Sequence, residues 1–283
     1  MAHHHAHDGT HGHAGTFDGL DDETAAFARH WDEVLDRVAG RAGDASTVVD
    51  LGTGTGVAAI GLARRLPAAE VLAVDAQDTW FGALRERAGH AGVGDRVRAV
   101  VADIDDGIPV PAGSADLVFA SNCLHHLADA SAAVRRIRAA TADHGLLCVV
   151  EVARPMRVLA DDDPAAEAER RADEALGIRL REAMPLHGGP WAQVVGENGW
   201  EVVDVHEFVT TADPTSDDAA ARHVLRHLGR LAAASAGRLT AADAAALADA
   251  VDRARRATHA VSWGVDGSRI AVLARPARTA DTR

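Results

Sequence analysis

Apolar and polar positions alternate between two periods along the first half of the chain. Short apolar runs rich in Val are separated by segments in which apolar residues recur every three or four positions. The runs are typical of buried strands, and the segments between them are typical of amphipathic helices. This alternation predicts βαβ units and therefore a parallel sheet. The candidate strands are residues 46–52, 70–76, 95–103, 115–122 and 145–152.

The second half of the chain is expected to complete the sheet with two more strands. Residues 200–211 form one β-branched run, and residues 268–274 form the other. Between them, residues 212–260 carry two helical patterns, the second of which begins with Thr240 and Asp243 at the spacing of a capping box. We interpret this stretch as a helical insertion between strands six and seven, and not as a separate domain.

The N-terminal residues precede the predicted sheet and divide into two parts. Six of the first thirteen residues are His, set among Ala, Gly, Asp and Thr, which predicts a low-complexity tail over residues 1–16. Residues 17–43 carry an amphipathic helical pattern. The main domain is then expected to comprise residues 44–211 and 261–277, with the insertion at residues 212–260 between its two parts.

The charge balance narrows the range of partners. The 283 residues include 29 basic residues, all of them Arg, and 42 acidic residues, for a formal net charge of −13. A surface this negative repels phosphate backbones and argues against nucleic acid. No run approaches the roughly 18 apolar residues that span a bilayer, and the N-terminus has no apolar segment typical of a signal peptide. Two Cys residues are too few for a disulfide framework. We therefore expect a cytoplasmic protein without a membrane partner; its oligomeric state is open, with a homodimer as one option.

A glycine-rich segment carries the strongest chemical signal. Residues 48–56 read VVDLGTGTG and lie between a predicted strand and a predicted helix. Gly52, Gly54 and Gly56 allow the backbone to turn sharply and to approach a ligand closely. The dinucleotide-binding pattern would require another glycine at position 57, which is Val57. A P-loop is excluded because the chain contains no Lys.

Two acidic residues follow at the ends of the next two predicted strands. Asp75 ends the second strand, where a carboxylate can accept hydrogen bonds from both hydroxyls of a ribose. Asp103 ends the third strand, where it can accept a hydrogen bond from an exocyclic amino group such as that of adenine. Together these residues predict a nucleoside-containing ligand.

Taken together, these segments resemble the class I S-adenosylmethionine-dependent methyltransferases. The matching features are the glycine loop, Asp75, residues 102–127 and residues 145–155, so the resemblance covers most of the chain. It implies an α/β fold with a Rossmann-like, mostly parallel seven-stranded sheet, helices on both faces, and the order 3-2-1-4-5-7-6 with strand seven antiparallel. It also implies that residues 17–43 form a helical lid. The His-rich start and the insertion resemble a group of bacterial methyltransferases that act on small molecules.

The resemblance also assigns the contacts of S-adenosylmethionine by position. It implies that the methionine part lies against the glycine loop, the ribose on Asp75, the adenine near Asp103 and Ile104, and the sulfonium near Asn122. An aromatic residue often found beside the strand-two acid is missing, so adenine stacking must come from elsewhere. The residues expected to bind the cofactor are Asp50, Gly52, Thr53, Gly54, Asp75, Ala76, Asp103, Ile104 and Asn122.

Methyl transfer from a sulfonium is an in-line displacement that depends mainly on positioning. A general base is needed only when the acceptor must lose a proton. The candidates are His126, His187 and Glu151, with His125 beside His126; imidazole titrates near neutral pH. Packing or helix capping is the alternative for the histidines, and a loop-stabilising contact with a nearby Arg is the alternative for Glu151. The tryptophans, including Trp31 and Trp80, are expected in the core rather than in the pocket.

The sequence therefore predicts an enzyme that methylates O or N of a small molecule with S-adenosylmethionine. Two other functions stay open on the residues alone: a metal-binding or regulatory protein of the same fold without turnover, and an S-adenosylmethionine-binding enzyme of another reaction type. Neutral imidazoles bind divalent Zn, Ni or Cu, so a metal at the His-rich N-terminus is a further expectation. A solvated tail and an engineered tag or its remnant are the alternatives.

Overall fold

The structure is a computed structural model that describes residues 17–278. The predicted His-rich tail over residues 1–16, with its expected metal, lies outside the described residues. Seven strands form one sheet in the described part of the chain. In chain order they are β1 (Thr47–Leu51), β2 (Glu70–Asp75), β3 (Val97–Val101), β4 (Ala115–Ser121), β5 (Thr141–Leu159), β6 (Trp200–Thr210) and β7 (Trp263–Pro276).

The order of these strands is β3-β2-β1-β4-β5-β7-β6. β1 pairs in parallel with β2 on one side and with β4 on the other. β7 runs antiparallel to both of its neighbours, β5 and β6. The predicted seven-stranded, mostly parallel sheet with an antiparallel last strand is therefore confirmed.

Helices cover both faces of the sheet because alternate residues of each central strand point to opposite sides. Val48 and Phe119 belong to the core on one face, while Val49 and Val118 belong to the core on the other. Burial on both faces explains the continuous apolar runs of the sequence. The helices are α1 (Phe17–Ala26), α2 (Ala28–Ala42), α3 (Val57–Arg65), α4 (Phe81–His90), α5 (Ala130–Ala140), α6 (Ala166–Ala183), α7 (Trp191–Glu197), α8 (Asp218–Ala234) and α9 (Ala241–Arg256).

The N-terminal amphipathic pattern forms two helices instead of one. The chain leaves helical geometry at Phe27, whose φ is −114° and ψ is 27°, and the Phe27 side chain is buried. Asp22 of α1 pairs with Arg222 at 2.8 Å and with Arg226, both on α8. These ion pairs attach α1 to α8, a contact that no local pattern encodes.

The predicted insertion contains α8 and α9, which pack with α6 in a third apolar cluster. Thr240 Oγ1 accepts a hydrogen bond from the Asp243 backbone N at 3.2 Å, as the capping-box spacing predicts. The cluster also includes Val158 and Leu159, at the far end of β5.

β5 and β7 are longer than their apolar runs. β5 continues past residue 152 to Leu159, and β7 begins at Trp263 instead of residue 268. The two extensions pair with each other, with Leu159 opposite Trp263. Arg154 in this extension is exposed and pairs with Asp266 at 2.9 Å, so its polarity interrupts the pattern that marks a buried strand. Within residues 17–278, no helix has the length and apolar character needed to cross a bilayer.

Candidate active site

A cavity of about 760 Å³ lies at the carboxyl edge of the parallel strands. Its walls include residues from the loops that follow β1, β2, β3 and β4, together with residues from α1 and α2. In open α/β sheets, ligands bind at this edge, where the strand order reverses on either side of a central strand. β1 is that strand here, since β2 and β4 flank it.

The glycine loop after β1 adopts a backbone that requires glycine. Gly52 has a φ of 65° and Gly54 a φ of 49°, in the left-handed region. A Cβ on Gly52 would overlap the side chain of Cys123, whereas no atom lies within 4 Å of the Cβ position of Gly54. Gly54 also lines the cavity, so its open side leaves room for a ligand against the backbone. The neighbouring Thr53 backbone N donates to Val74 O at 2.9 Å, which fixes the loop to β2.

Asp50, at the end of β1, holds the glycine loop from beneath. Its Oδ2 accepts hydrogen bonds from Thr53 Oγ1 at 2.6 Å and from the Ala59 backbone N at 3.0 Å. Burial raises the pKa of Asp50 to about 7, although these hydrogen bonds oppose the rise. The carboxyl therefore connects the loop to the first turn of α3. Asp50 also lines the cavity.

Asp75 and Asp103 both reach the cavity from the ends of neighbouring strands. Asp75 Oδ2 accepts a hydrogen bond from the Gly54 backbone N at 3.0 Å, and its Oδ1 accepts one from the Gln77 backbone N at 3.2 Å. Asp103 Oδ1 accepts a hydrogen bond from the Asp105 backbone N at 2.9 Å. Each carboxylate thus has a fixed orientation and further acceptor capacity.

Asn122, after β4, has a strained backbone and an unsatisfied side chain. Within residues 17–278 it is the only non-glycine residue with a positive φ, 48°. Its backbone N donates to Val150 O at 2.9 Å, while its side-chain Oδ1 is buried without a hydrogen-bond partner. Strained backbones and unpaired buried acceptors both cost free energy and concentrate at functional sites. Since Asn122 lines the cavity, its oxygen suits a ligand that brings a donor or a positive charge.

Three histidines meet on one wall of the cavity. His125 and His126 lie in a short 3-10 helix, Leu124–His126, and His187 lies in the loop before α7. The ring centroid of His125 is 4.1 Å from that of His126 and 5.2 Å from that of His187. Burial lowers the pKa of His126 and of His187, and in each case the neighbouring His125 lowers it further.

Glu151 lies behind His125 and is 1% exposed. Its Oε2 is 2.6 Å from His125 Nδ1, and its Oε1 accepts a hydrogen bond from the Leu124 backbone N at 3.2 Å. The loop-stabilising contact with an arginine, considered from the sequence, is not the one formed, because Arg154 pairs with Glu207 and Asp266, and Arg157 pairs with Asp161. Glu151 therefore contacts His125, which lines the cavity.

The cavity includes residues that the sequence patterns did not reveal. Trp31 and Trp80 were expected in the core, but both line it. Trp80 lies in the loop after β2, only five positions beyond Asp75, and this closeness in sequence is the one signal that points to the cavity. Glu23 and Arg269 also line the cavity and had no sequence signal, since their contact joins residues 246 positions apart. The predicted lid role of residues 17–43 stays a prediction, although α1 and α2 contribute to this wall.

No cluster of three or more His, Cys, Asp or Glu side chains suited to a metal ion occurs in the described part of the chain. The three histidines near Glu151 are therefore interpreted through their hydrogen bonds and ring contacts.

The comparisons agree with this geometry. Residues 48–145 match the family model of a methyltransferase domain. The match covers about a third of the chain, and it agrees with the resemblance found in the sequence. The matched segment contains the glycine loop, Asp75, Asp103 and the histidine pair, whereas Glu151 and His187 lie beyond it.

Among curated proteins, the chain is similar to the malonyl-[acyl-carrier protein] O-methyltransferase of Halorhodospira halophila. The two are 37% identical over 125 residues, which is 44% of this chain and 41% of the relative. A second relative, an uncharacterised protein of Synechococcus, is 28% identical over 47% of this chain and 33% of its own length. The chain thus matches less than half of the length of either relative.

Solved structures show the same fold at low sequence identity. BH2331 from Bacillus halodurans C-125 has a TM-score of 0.55 and 18% identity, with 86% of this chain and 99% of that chain covered. Haemonchus contortus phosphoethanolamine N-methyltransferase 2, in complex with S-adenosyl-L-methionine, has a TM-score of 0.50 and 14% identity, with 87% and 53% covered.

Proposed function

We propose that this protein transfers a methyl group from S-adenosylmethionine to an oxygen or nitrogen atom of a small molecule. The observation that carries the proposal is the convergence of Gly54, Asp75 and Asn122 on one cavity at the carboxyl edge of the sheet. Its volume of about 760 Å³ lies within the usual range of small-molecule sites. An oxygen acceptor is also supported by the O-methyltransferase relative.

The residues of the cavity fit the proposed cofactor. The open side of Gly54 leaves space against the backbone for the methionine part, together with Gly52 and Thr53. Asp75 would hold the ribose hydroxyls, with Ala76 beside it. The unpaired Oδ1 of Asn122 suits the neighbourhood of a positively charged sulfonium.

The adenine ring would lie between the ends of β2 and β3. Asp103 offers a carboxylate to its amino group, and Ile104, which is 8% exposed, offers an apolar surface. Trp80 supplies an aromatic surface in the same cavity. It would take the place of the aromatic residue that is missing directly after Asp75. We assign adenine stacking to Trp80.

The cofactor, when bound, supplies an electrophilic methyl group. The chain contributes proton transfer through His125, which we assign as the general base. A carboxylate only accepts hydrogen bonds, so we assign the proton to Nδ1 of His125, 2.6 Å from Glu151 Oε2. The neutral ring then carries its lone pair on Nε2, the nitrogen left for an acceptor hydroxyl or ammonium proton. His126 and His187, whose pKa values are lowered by burial, stay neutral near pH 7 and do not repel a sulfonium.

The proposed activity is tested by incubating the full chain with S-adenosylmethionine and a panel of small oxygen and nitrogen acceptors. Formation of S-adenosylhomocysteine together with an acceptor heavier by one methyl group is the expected result. The His125→Gln variant should no longer transfer the methyl group but should still bind the nucleoside. Tight nucleoside binding without transfer to any acceptor would favour the regulatory alternative, and consumption of an acceptor with the cofactor unchanged would favour another reaction type.

A further inference from the structure

A second, smaller cavity adjoins the one described above. It measures about 170 Å³ and lies among α1, α8 and the strands β5, β6 and β7. Glu23, Val152 and Arg269 line both cavities, so the two are neighbours across these side chains. We call the smaller one the side chamber. At about 30 Å³ per water molecule, it has room for a small polar group with some water.

Two histidines on one face of α8 line the side chamber with unsatisfied nitrogens. His223 and His227 are four residues apart and therefore lie on the same side of the helix. His223 is 3% exposed, and its ring contacts Phe27 edge-on at 5.2 Å between centroids. The Nε2 atoms of both histidines are buried without a hydrogen-bond partner. Unpaired buried polar atoms are costly, which indicates that these nitrogens are positioned for a ligand.

The charged residues around the side chamber are mostly arginines. Arg154 comes from β5, Arg230 from α8 and Arg269 from β7, against one carboxylate, Glu23 of α1. Arg269 Nη2 donates to Glu23 Oε1 at 2.6 Å, so this pair is neutral overall, while Arg269 Nε is buried without a partner. Arg154 pairs with Asp266 and Glu207. Arg230 has no carboxylate partner among the described residues, and its charge makes the chamber favourable for an anion.

We propose that the side chamber binds an anionic oxygen group, a carboxylate or a phosphate, at one end of the methyl acceptor. The acceptor would extend past Val152 into the larger cavity, so the inference rests on the proposed function and narrows its substrate to anionic small molecules. Arg269 Nε and Arg230 supply charged donors, and the imidazoles of His223 and His227 complete the site.

Proton uptake is expected to accompany binding. The pKa of His227 is lowered to about 4, mainly by burial and also by His223 and Arg230, while a hydrogen bond to the Met156 backbone opposes the change. Burial likewise lowers the pKa of His223, with Arg230 and Arg269 lowering it further and Glu23 raising it. An anion beside these rings favours their protonated forms and raises their pKa values. Anion binding should therefore tighten as the pH falls.

The test follows the imidazole NMR signals of His223 and His227 in the full chain. Acetate or inorganic phosphate is added at constant ionic strength near pH 6, close to the ordinary range of imidazole titration. A saturable shift is expected with at least one of the two probes. Saturation by acetate identifies a carboxylate site, and saturation by phosphate identifies a phosphate site.

Three variants test whether the anion binds in the side chamber. Arg230→Gln and Arg269→Gln should weaken anion binding by about tenfold or more, because each removes a charged hydrogen-bond donor. Arg238→Gln is the matched control, since Arg238 is exposed and does not line the side chamber. Arg230 is also exposed, so its variant should fold even if the Arg269 variant does not.

The proposal is overturned if neither anion produces a saturable shift, or if the Arg230→Gln chain binds the anions as tightly as the unaltered chain. Calorimetry with S-adenosylhomocysteine on the same samples measures nucleoside binding, and so tests the proposed function independently of the side chamber. If the chain binds the nucleoside but no anion, only the proposal for the side chamber is contradicted. If it binds an anion but no nucleoside, the proposed function is contradicted.

Discussion

Glu151 Oε2 lies 2.6 Å from His125 Nδ1, and both side chains are almost fully buried, at 1% and 7% exposure. A buried carboxylate at this distance fixes both the tautomer and the orientation of the imidazole. His125 lines the cavity and Glu151 lies behind it, so the proposed mechanism gives Glu151 the role of a positioning residue.

Glu151→Gln tests this positioning role. The amide keeps the size of the side chain and an oxygen acceptor for the Leu124 backbone N, but it removes the negative charge that supports His125 as it gains a proton. We expect kcat to fall by about ten- to a hundredfold, a part of the 10²–10⁴-fold that general base catalysis contributes. The Kd for S-adenosylhomocysteine, measured by calorimetry, should stay unchanged. An equal loss of kcat and of affinity for S-adenosylhomocysteine would indicate a structural role for Glu151.

Asp50→Asn should change the pH dependence of stability. Burial raises the pKa of Asp50 to about 7 in the folded chain, above its unfolded value. The stabilising contribution is therefore fully present at low pH and is lost as the pH rises through about 7. Between about pH 6 and pH 8.5 the loss amounts to about 1 kcal/mol, and the variant should not show it.

Urea unfolding of the two proteins at several pH values measures this difference. Asp44→Asn, at an exposed carboxyl near the start of β1, is the matched control and should behave as the unaltered chain does. Identical pH profiles for the Asp50 variant and the unaltered chain would mean that Asp50 is ionised in the folded protein at neutral pH.

Trp80→Ala should weaken nucleoside binding because it removes the assigned stacking surface. Aromatic contacts of this kind contribute about 0.5–1.5 kcal/mol, so an increase of roughly two- to tenfold in Kd is expected. Trp80→Phe should restore most of the affinity. Trp263→Phe is the control, since Trp263 does not line the cavity and its indole N donates to Thr258 O. If Trp80→Ala binds as tightly as Trp263→Phe, adenine stacking lies elsewhere.

The central sheet could be predicted because its strands are buried on both faces and its loops carry recognisable residues. Val48, Val49 and their neighbours make an uninterrupted apolar run for that reason. The glycine loop and Asp75 are likewise local features. The extensions of β5 and β7 could not be predicted in this way, because exposed Arg154 and Asp266 pair across them and break the apolar pattern.

The far wall of the site depends on contacts between distant parts of the chain. Glu23 and Arg269 are 246 positions apart, and the anchoring of α1 to α8 depends on Asp22 and Arg222, 200 positions apart. Periodicity describes one element at a time, so it cannot indicate which elements meet. The cofactor residues predicted from the sequence line the larger cavity, whereas no sequence pattern predicted the side chamber.

The most direct test of the account is the affinity of S-adenosylmethionine for Asp75→Ala, compared by calorimetry with the unaltered chain and with Asp78→Ala, an exposed acidic neighbour that does not line the cavity. Because Asp75 is assigned to both ribose hydroxyls, each a hydrogen bond to a charged group, its loss should raise the Kd by tens of fold, while Asp78→Ala leaves the Kd unchanged. Equal affinity in all three proteins would contradict the assignment of this cavity to the nucleoside.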